Sequence, residues 1–175
     1  MAATYNLISS QVLGSTATSV TFSSIPSTYT DLVVKTSARD SSGGNGFDNI
    51  YMTFNGTSST YGTTFLRYNS SGVDTFNDAS QIYTRVIASV GGTGGEANQF
   101  SVSEIYIPNY ATSSTKQISI WNATENSGTG PNSGFVIQEA ATWASGAITS
   151  ITLLDSASLS YAVGSSFYLY GIKNS

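Results

Sequence analysis

Two glutamates are the residues whose type and setting most readily suggest catalysis. Glu104 and Glu139 lie inside predicted strands, where an acid is less expected than a β-branched or aromatic residue. Two carboxylates that face one cleft are the arrangement used in glycoside hydrolysis. A solvent-facing glutamate on a strand is an ordinary feature, however, and the sequence contains no histidine, the most frequent general base. No Ser in a G-x-S-x-G elbow is present either, and we predict that the protein is not an enzyme.

Aspartates beside glycine-rich loops suggest a second kind of chemistry, metal binding. Asp40 and Asp48 bracket one such loop. Asp74 and Asp78 lie in the connection before a strand that is predicted over 81–90. Carboxylate oxygens are the ligands that Ca²⁺ prefers, but the spacing matches no EF-hand, and aspartates that form turns share this setting. With neither cysteine nor histidine in the sequence, the sequence predicts no metal and no other cofactor.

The segment 92–97, Gly-Thr-Gly-Gly-Glu-Ala, matches the spacing of a dinucleotide-binding loop. That fingerprint requires a helix next, because the helix N-terminus binds the pyrophosphate. The next predicted element is a strand over 98–108. A plain connecting loop is therefore the better interpretation.

Aromatic residues are numerous, with eleven Tyr and two Trp. Both types are enriched at protein interfaces and in sugar-stacking sites, although packing in the core is the alternative for any single one. As a group they favour a binding or assembly surface. The candidate residues for an interface or for display are five aromatics and three polar residues of the two long loops: Tyr61, Tyr68, Tyr110, Trp121, Trp143, Asp40, Asp48 and Asn126.

Strands are the elements that must position these side chains. The 175 residues are enough for one domain with a proper core, over 1–175, and no segment shows helical periodicity with capping signals. About 8–11 short strands separated by Gly and Ser turns predict an all-β fold, a jelly-roll-like antiparallel β-sandwich. The aromatic stretch 165–172 is predicted to be a central strand with Phe167, Leu169 and Gly171 on one face. Loops 38–48 and 122–134 are expected at the ends of the sandwich.

The charge composition excludes several kinds of partner. Charged residues are 9% of the chain and the net charge is −4, whereas soluble domains average roughly 25% charged residues. The six basic residues are scattered singly, so we predict no nucleic-acid binding. No apolar run approaches the roughly 20 residues of a membrane span, and no secretory signal is visible. The sequence thus predicts no membrane partner and synthesis in a cytoplasm.

Three stretches of the chain carry a resemblance to a known group of proteins. They are 5–13 (Tyr-Asn-Leu-Ile-Ser-Ser-Gln-Val-Leu), 105–111 (Ile-Tyr-Ile-Pro-Asn-Tyr-Ala) and 165–172 (Ser-Ser-Phe-Tyr-Leu-Tyr-Gly-Ile). The chain resembles small virion structural proteins of tailed phages, particularly of cyanophages, nearly from end to end. This resemblance implies a jelly-roll-like β-sandwich, usually a homotrimer, on the outside of a phage particle. It supplies no catalytic residues.

The resemblance leaves two placements on the particle open. One is a cement or decoration protein bound to the major capsid protein, and the other is a tail-fibre or fibre-tip module that recognises host surface glycans. A fibre chain usually carries a shaft of heptads or repeats, and this sequence has neither. We therefore expect a trimeric cement protein on the outer capsid surface that ties capsomers together at their junctions. The glycan-binding module is the alternative.

Overall fold

Strands make up the regular structure of the protein. A computed structural model describes residues 4–41, 48–58, 61–69, 72–81, 83–89, 97–125, 134–155 and 160–173. The twelve strands are β1 (Tyr5–Val12), β2 (Ser19–Phe22), β3 (Asp31–Ala38), β4 (Asp48–Phe54), β5 (Tyr61–Asn69), β6 (Gly72–Gln81), β7 (Thr84–Ser89), β8 (Ser101–Ile107), β9 (Lys116–Glu125), β10 (Gly134–Trp143), β11 (Ile151–Asp155) and β12 (Ser166–Ile172). Within these ranges, no helix is long and apolar enough to cross a membrane.

The strands form two antiparallel sheets that enclose one apolar core. The larger sheet has eight strands in the order β1-β12-β3-β8-β9-β10-β5-β6, and the smaller has four in the order β2-β11-β4-β7. From β1 to β5 every connection passes from one sheet to the other, a pattern of crossings that is typical of jelly-roll-like folds. The prediction of an all-β, antiparallel sandwich is confirmed, with one strand more than its upper bound.

The last strand lies inside the large sheet, as the sequence predicts. β12 pairs with β1 on one side and with β3 on the other. Phe167, Leu169 and Gly171 point together into the core, and both large side chains are fully buried. A strand of aromatic and apolar residues suits this position because both of its faces are at least partly covered.

Several bounds predicted from the sequence are wrong. The strand predicted over 98–108 is β8 over Ser101–Ile107, and the first four residues of the loop predicted over 122–134 belong to β9. The sequence predicts a connection around Asp74 and Asp78, whereas the structure has strand β6 there. The strand predicted over 81–90 begins only at Thr84. The polar sequence of β6 has little intrinsic preference for a strand, and pairing with β5 along most of its length holds it extended. The Phe65–Phe76 ring contact at 5.3 Å adds to this pairing.

The core lies between the two sheets and leaves the other face of each sheet outside. It includes Val20, Phe22, Leu32, Val34, Ile50, Met52, Phe54, Ile105, Ile120, Ile151, Leu153 and Leu169. Side chains alternate between the two faces of a strand. Because every second residue of a strand in the large sheet is buried in the core, the residues between them lie on the other face of that sheet.

Candidate functional site: the outer face of the large sheet

We call the surface of the eight-stranded sheet that points away from the four-stranded sheet the outer face. Its residues are placed by the strand register, which aligns them in rows across the sheet. One row runs through Leu7, Tyr170, Val33, Tyr106, Ser119, Ala140, Thr64 and Asn77. The next runs through Ser10, Tyr168, Lys35, Glu104, Trp121, Gln138, Leu66 and Thr75. A third runs through Val12, Ser166, Ser37, Val102, Ala123, Val136, Tyr68 and Val73.

Large apolar side chains are concentrated on the outer face. Among the described residues, twelve large hydrophobic side chains are exposed, and all but Phe76 and Val163 lie on this face. They are Tyr5, Leu7, Val12, Leu66, Tyr68, Val73, Val102, Tyr106, Trp121 and Val136. Singly exposed apolar residues are normal on a protein surface, but a contiguous set on one face marks an interaction site.

Charge is nearly absent from the outer face. Lys35 and Glu104 lie opposite each other on β3 and β8 and form an ion pair at 2.9 Å. The hydrogen bond to Glu104 raises the pKa of Lys35. Both side chains are about half exposed, so the pair adds little stability. Its effect is that the two charges cancel within the face.

Asp31 is the other charged side chain that the structure describes on this face, and it is buried. Tyr106 donates its hydroxyl to one carboxylate oxygen at 2.7 Å, and the Asn109 backbone N–H donates to the other at 2.9 Å. The hydrogen bond to Asp31 raises the pKa of Tyr106 to about 12. The tyrosine ring therefore stands in a fixed position near the end of β8.

Along its first row, the relief of the outer face differs between the two halves of the sheet. In the other two rows, exposed large side chains also lie on the β9, β10 and β5 half, among them Trp121, Val136 and Tyr68. Over β1, β12, β3 and β8 the first row is built of large residues, Leu7, Tyr170 and Tyr106. Over β9, β10 and β5 the same row has Ser119, Ala140 and Thr64. These small side chains lie in a shallow depression of about 630 Å³. It is bounded on one side by Tyr106 and Pro108, and its surface is mostly apolar with some hydroxyl and amide groups.

A second depression lies beside the exposed tryptophan. It has a volume of about 470 Å³ and is lined by Trp121, Val102, Lys35 and Glu104 together with Thr36 and Ser103. Trp121 is 46% exposed. The indole of Trp121 can stack on the apolar face of a ring-shaped ligand. The carboxylate of Glu104 and the ammonium group of Lys35 can hydrogen-bond to hydroxyl groups around that ring.

Two of the five predicted aromatics are on the outer face and three are not. Trp121 and Tyr68 lie there, and Tyr68 is 62% exposed. The expectation of exposure is wrong for Tyr61, Tyr110 and Trp143, which are buried. Tyr61 and Trp143 lie opposite each other on β5 and β10 and both contact the ring of Phe54 in the small sheet. The hydroxyl of Tyr110 donates to the backbone carbonyl of Pro26.

The predicted polar residues do not form a cluster with these aromatics. Asp40 is almost fully buried and its backbone bridges to Tyr161, whereas Asp48 begins β4 and is half-buried. Asp74 is exposed and pairs with Arg67 at 2.6 Å. Asn126 lies outside the described residues, as do most of both long loops and of the glycine-rich segment 92–97. In the part of the chain that is described, no three acidic side chains gather as metal ligands.

The two glutamates of the catalytic hypothesis lie on opposite faces of the large sheet. Glu104 points outward in the row of Trp121, whereas Glu139 is buried and lies opposite Ile120 on the core side. Carboxylates separated by a sheet cannot flank one glycosidic bond. The chemistry that the sequence suggests for this pair is therefore not available to it.

Sequence reasoning missed most of the outer face. Tyr5, Tyr106 and Tyr170 belong to it, and so does the Lys35–Glu104 pair. The period-2 alternation of β8 places Val102, Glu104 and Tyr106 on one side, but the strand order that brings β12, β3, β8 and β9 together is not readable from a single strand. A comparison of the chain with protein-family models finds no match, and a comparison with curated proteins finds none either.

Proposed function

We propose that the protein is a structural protein of a phage virion, a homotrimeric cement protein that binds the outer capsid surface at capsomer junctions. The observation that carries this proposal is the outer face, which has many exposed apolar side chains and few charged ones. Such a face is typical of the centre of a protein–protein interface, where charged residues are depleted and Tyr and Trp are enriched. The placement on a virion rests on the resemblance of 5–13, 105–111 and 165–172 to phage structural proteins.

The proposed mechanism is multivalent attachment. A trimer presents each of its capsid contacts three times, so that weak individual contacts add up to firm binding. Repeated over the shell, these contacts resist the pressure of the packaged genome. The two long loops, 38–48 and 122–134, are the proposed contacts with the major capsid protein or the parts displayed outward. A non-catalytic role is part of the proposal.

The copy number of the protein in purified virions, relative to the major capsid protein, tests this function first. We expect a number comparable to that of the capsid protein, measured by quantitative mass spectrometry of intact particles. A few tens of copies would instead indicate a tail component. Absence from the particle would overturn both virion roles.

The second candidate function is recognition of host glycans by a fibre-tip module. The depression beside Trp121 favours it, because aromatic rings with neighbouring hydrogen-bonding groups are the usual platform for sugars. In this case Trp121→Ala abolishes binding of the isolated protein to host surface polysaccharide. Tyr68→Ala, which removes an exposed ring from the same face outside that depression, retains the binding. Binding that survives Trp121→Ala would remove the argument for this candidate.

A further inference from the structure

We infer that the outer face is the surface through which two copies of this chain contact each other, with the tall half of one face lying on the shallow half of the other. This inference rests on the assembly role proposed above and names the partner of that surface. The inference is carried by the shape, the charge and the area of the face.

Along the first row, the relief of the face is complementary to itself. Leu7 and Tyr106 stand on one half, and the depression around Ala140 lies on the other half of the same row. A two-fold rotation about an axis along the strands lays each tall half over a shallow half.

The charge of the face permits contact between identical copies. The chain carries a net charge of −4, so two copies repel each other at most of their surface. On the outer face the only exposed charges that the structure describes, Lys35 and Glu104, neutralise each other at 2.9 Å. A partner with a strong charge of either sign has nothing complementary to bind here.

The area of the face is that of a stable interface. Eight strands at about 4.8 Å spacing give a width of about 38 Å. Three rows of outward residues along the strands, with about 6.8 Å between rows, give a height of about 20 Å. The product, about 800 Å² for each copy, equals the area that each partner contributes to a standard-size interface.

Sedimentation equilibrium of the purified full chain tests the inference, with Ala140→Arg as the principal variant. Ala140 is exposed at the depression, so an arginine there fills the space and brings an unpaired charge into the contact. Val136→Lys places a charge elsewhere on the same face and is the second variant. The matched control is Ser19→Arg, which adds the same side chain to an exposed position on β2 of the other sheet.

We expect the wild-type chain and Ser19→Arg to sediment at a multiple of 18.3 kDa, and both face variants to sediment as monomers. Near-ultraviolet circular dichroism and the unfolding midpoint show whether each variant is folded. Acrylamide quenching gives an independent readout, because Trp143 is buried in the monomer and Trp121 is exposed. The quenchable fraction of tryptophan fluorescence falls as the wild-type protein associates, and it stays constant in Ala140→Arg.

A monomeric wild-type chain, or folded face variants that still associate, would overturn the inference. If that monomer is present in virions at a copy number comparable to the capsid protein, the placement on the capsid stands, whereas the homotrimer and the inference both fall. If the monomer binds a neutral polysaccharide and Trp121 becomes protected from acrylamide, the outer face is a glycan-binding surface and not a contact between copies. Association that the face variants abolish, in a protein absent from virions, supports the inference and removes the virion function.

Discussion

Gly171 shows how closely one residue is constrained by its neighbour. A Cβ atom at this position would lie 2.3 Å from Cγ of Tyr29, a distance that no packed structure tolerates. The ring of Tyr29 therefore packs directly on the backbone of β12, against the edge of the core. Glycine is required here for close approach and not for its backbone freedom.

Replacement of this glycine tests the packing. We expect Gly171→Ala to lower the free energy of unfolding by about 2–3 kcal/mol, because the ring must move out of its site. Gly146→Ala is the control, since nothing lies within 4 Å of its added Cβ. Urea denaturation measures both. In the double variant with Tyr29→Ala, the cost of the added methyl group disappears, and an unchanged cost would show that the ring is not the obstacle.

Tyr106 gives a prediction for the dependence of stability on pH. Its pKa is raised from 10.0 to about 12, chiefly by the hydrogen bond to Asp31. Because this pKa is raised in the folded protein, the hydrogen bond between Tyr106 and Asp31 contributes its full stabilisation of the fold below pH 10. That stabilisation is lost as the pH rises towards 12. Tyr106→Phe therefore loses less stability across this interval than the wild-type chain. Unfolding at a series of pH values measures the difference, and parallel curves would contradict the assignment.

Residue type alone does not separate the buried aromatics from the exposed ones. Tyr61 and Tyr68 are both on β5, seven positions apart, and an odd separation places them on opposite faces. Both are predicted from the sequence as candidates for an exposed surface, whereas alternation along one strand allows only one of the two to be outside. Tyr61 is the inner one, because the ring of Phe54 in the small sheet packs against it.

Tyr61 is also a link between elements, since it joins the two sheets by a hydrogen bond. Its hydroxyl accepts the backbone N–H of Phe54, at the end of β4, at 2.8 Å in a buried setting. Tyr61→Phe leaves that N–H without an acceptor, and we expect the free energy of unfolding to fall by about 1–3 kcal/mol. Tyr68→Phe removes the same atom from an exposed position on the same strand, with an expected change below about 0.5 kcal/mol. Equal effects in chemical denaturation would argue against the link.

Individual strands were predictable where local signals agree. β1, over Tyr5–Val12, coincides with a run rich in β-forming residues, and the Asn55-Gly56 turn after β4 forms with both residues at positive φ, as this dipeptide favours. β6 was not predictable, because its glycine and aspartates disfavour a strand. It becomes a strand through its partner β5, and that information lies in another segment of the chain.

For the whole molecule, the pairing of Lys35 with Glu104 within one copy predicts how association responds to salt. Because no ion pair between copies is needed, and because salt screens the repulsion between two chains of net charge −4, we expect the association constant not to fall between about 0.05 and 0.5 M NaCl. Sedimentation equilibrium at both concentrations measures this. A steep loss of association at high salt would mean that ion pairs between copies hold the assembly.

The outer face itself was beyond prediction from the sequence. Its rows combine residues from strands at both ends of the chain and from its middle, in the order β1-β12-β3-β8-β9-β10-β5-β6. The class of the fold follows from short strands and turns, which are local properties. The order of the strands depends on packing between distant segments, so Trp121 and Tyr68 were identified while their neighbours were not.

The position of β12 has a consequence for synthesis on the ribosome. β12 fills the place between β1 and β3, and its segment, Ser166–Ile172, is translated after the other eleven strands. In a nascent chain that lacks β12, β1 has no strand through which to join the large sheet, and one edge of β3 is unpaired. An unpaired strand edge can pair with a strand of another chain and so lead to aggregation, and chaperones that bind the nascent chain prevent this. The large sheet can close only after translation has passed Ile172.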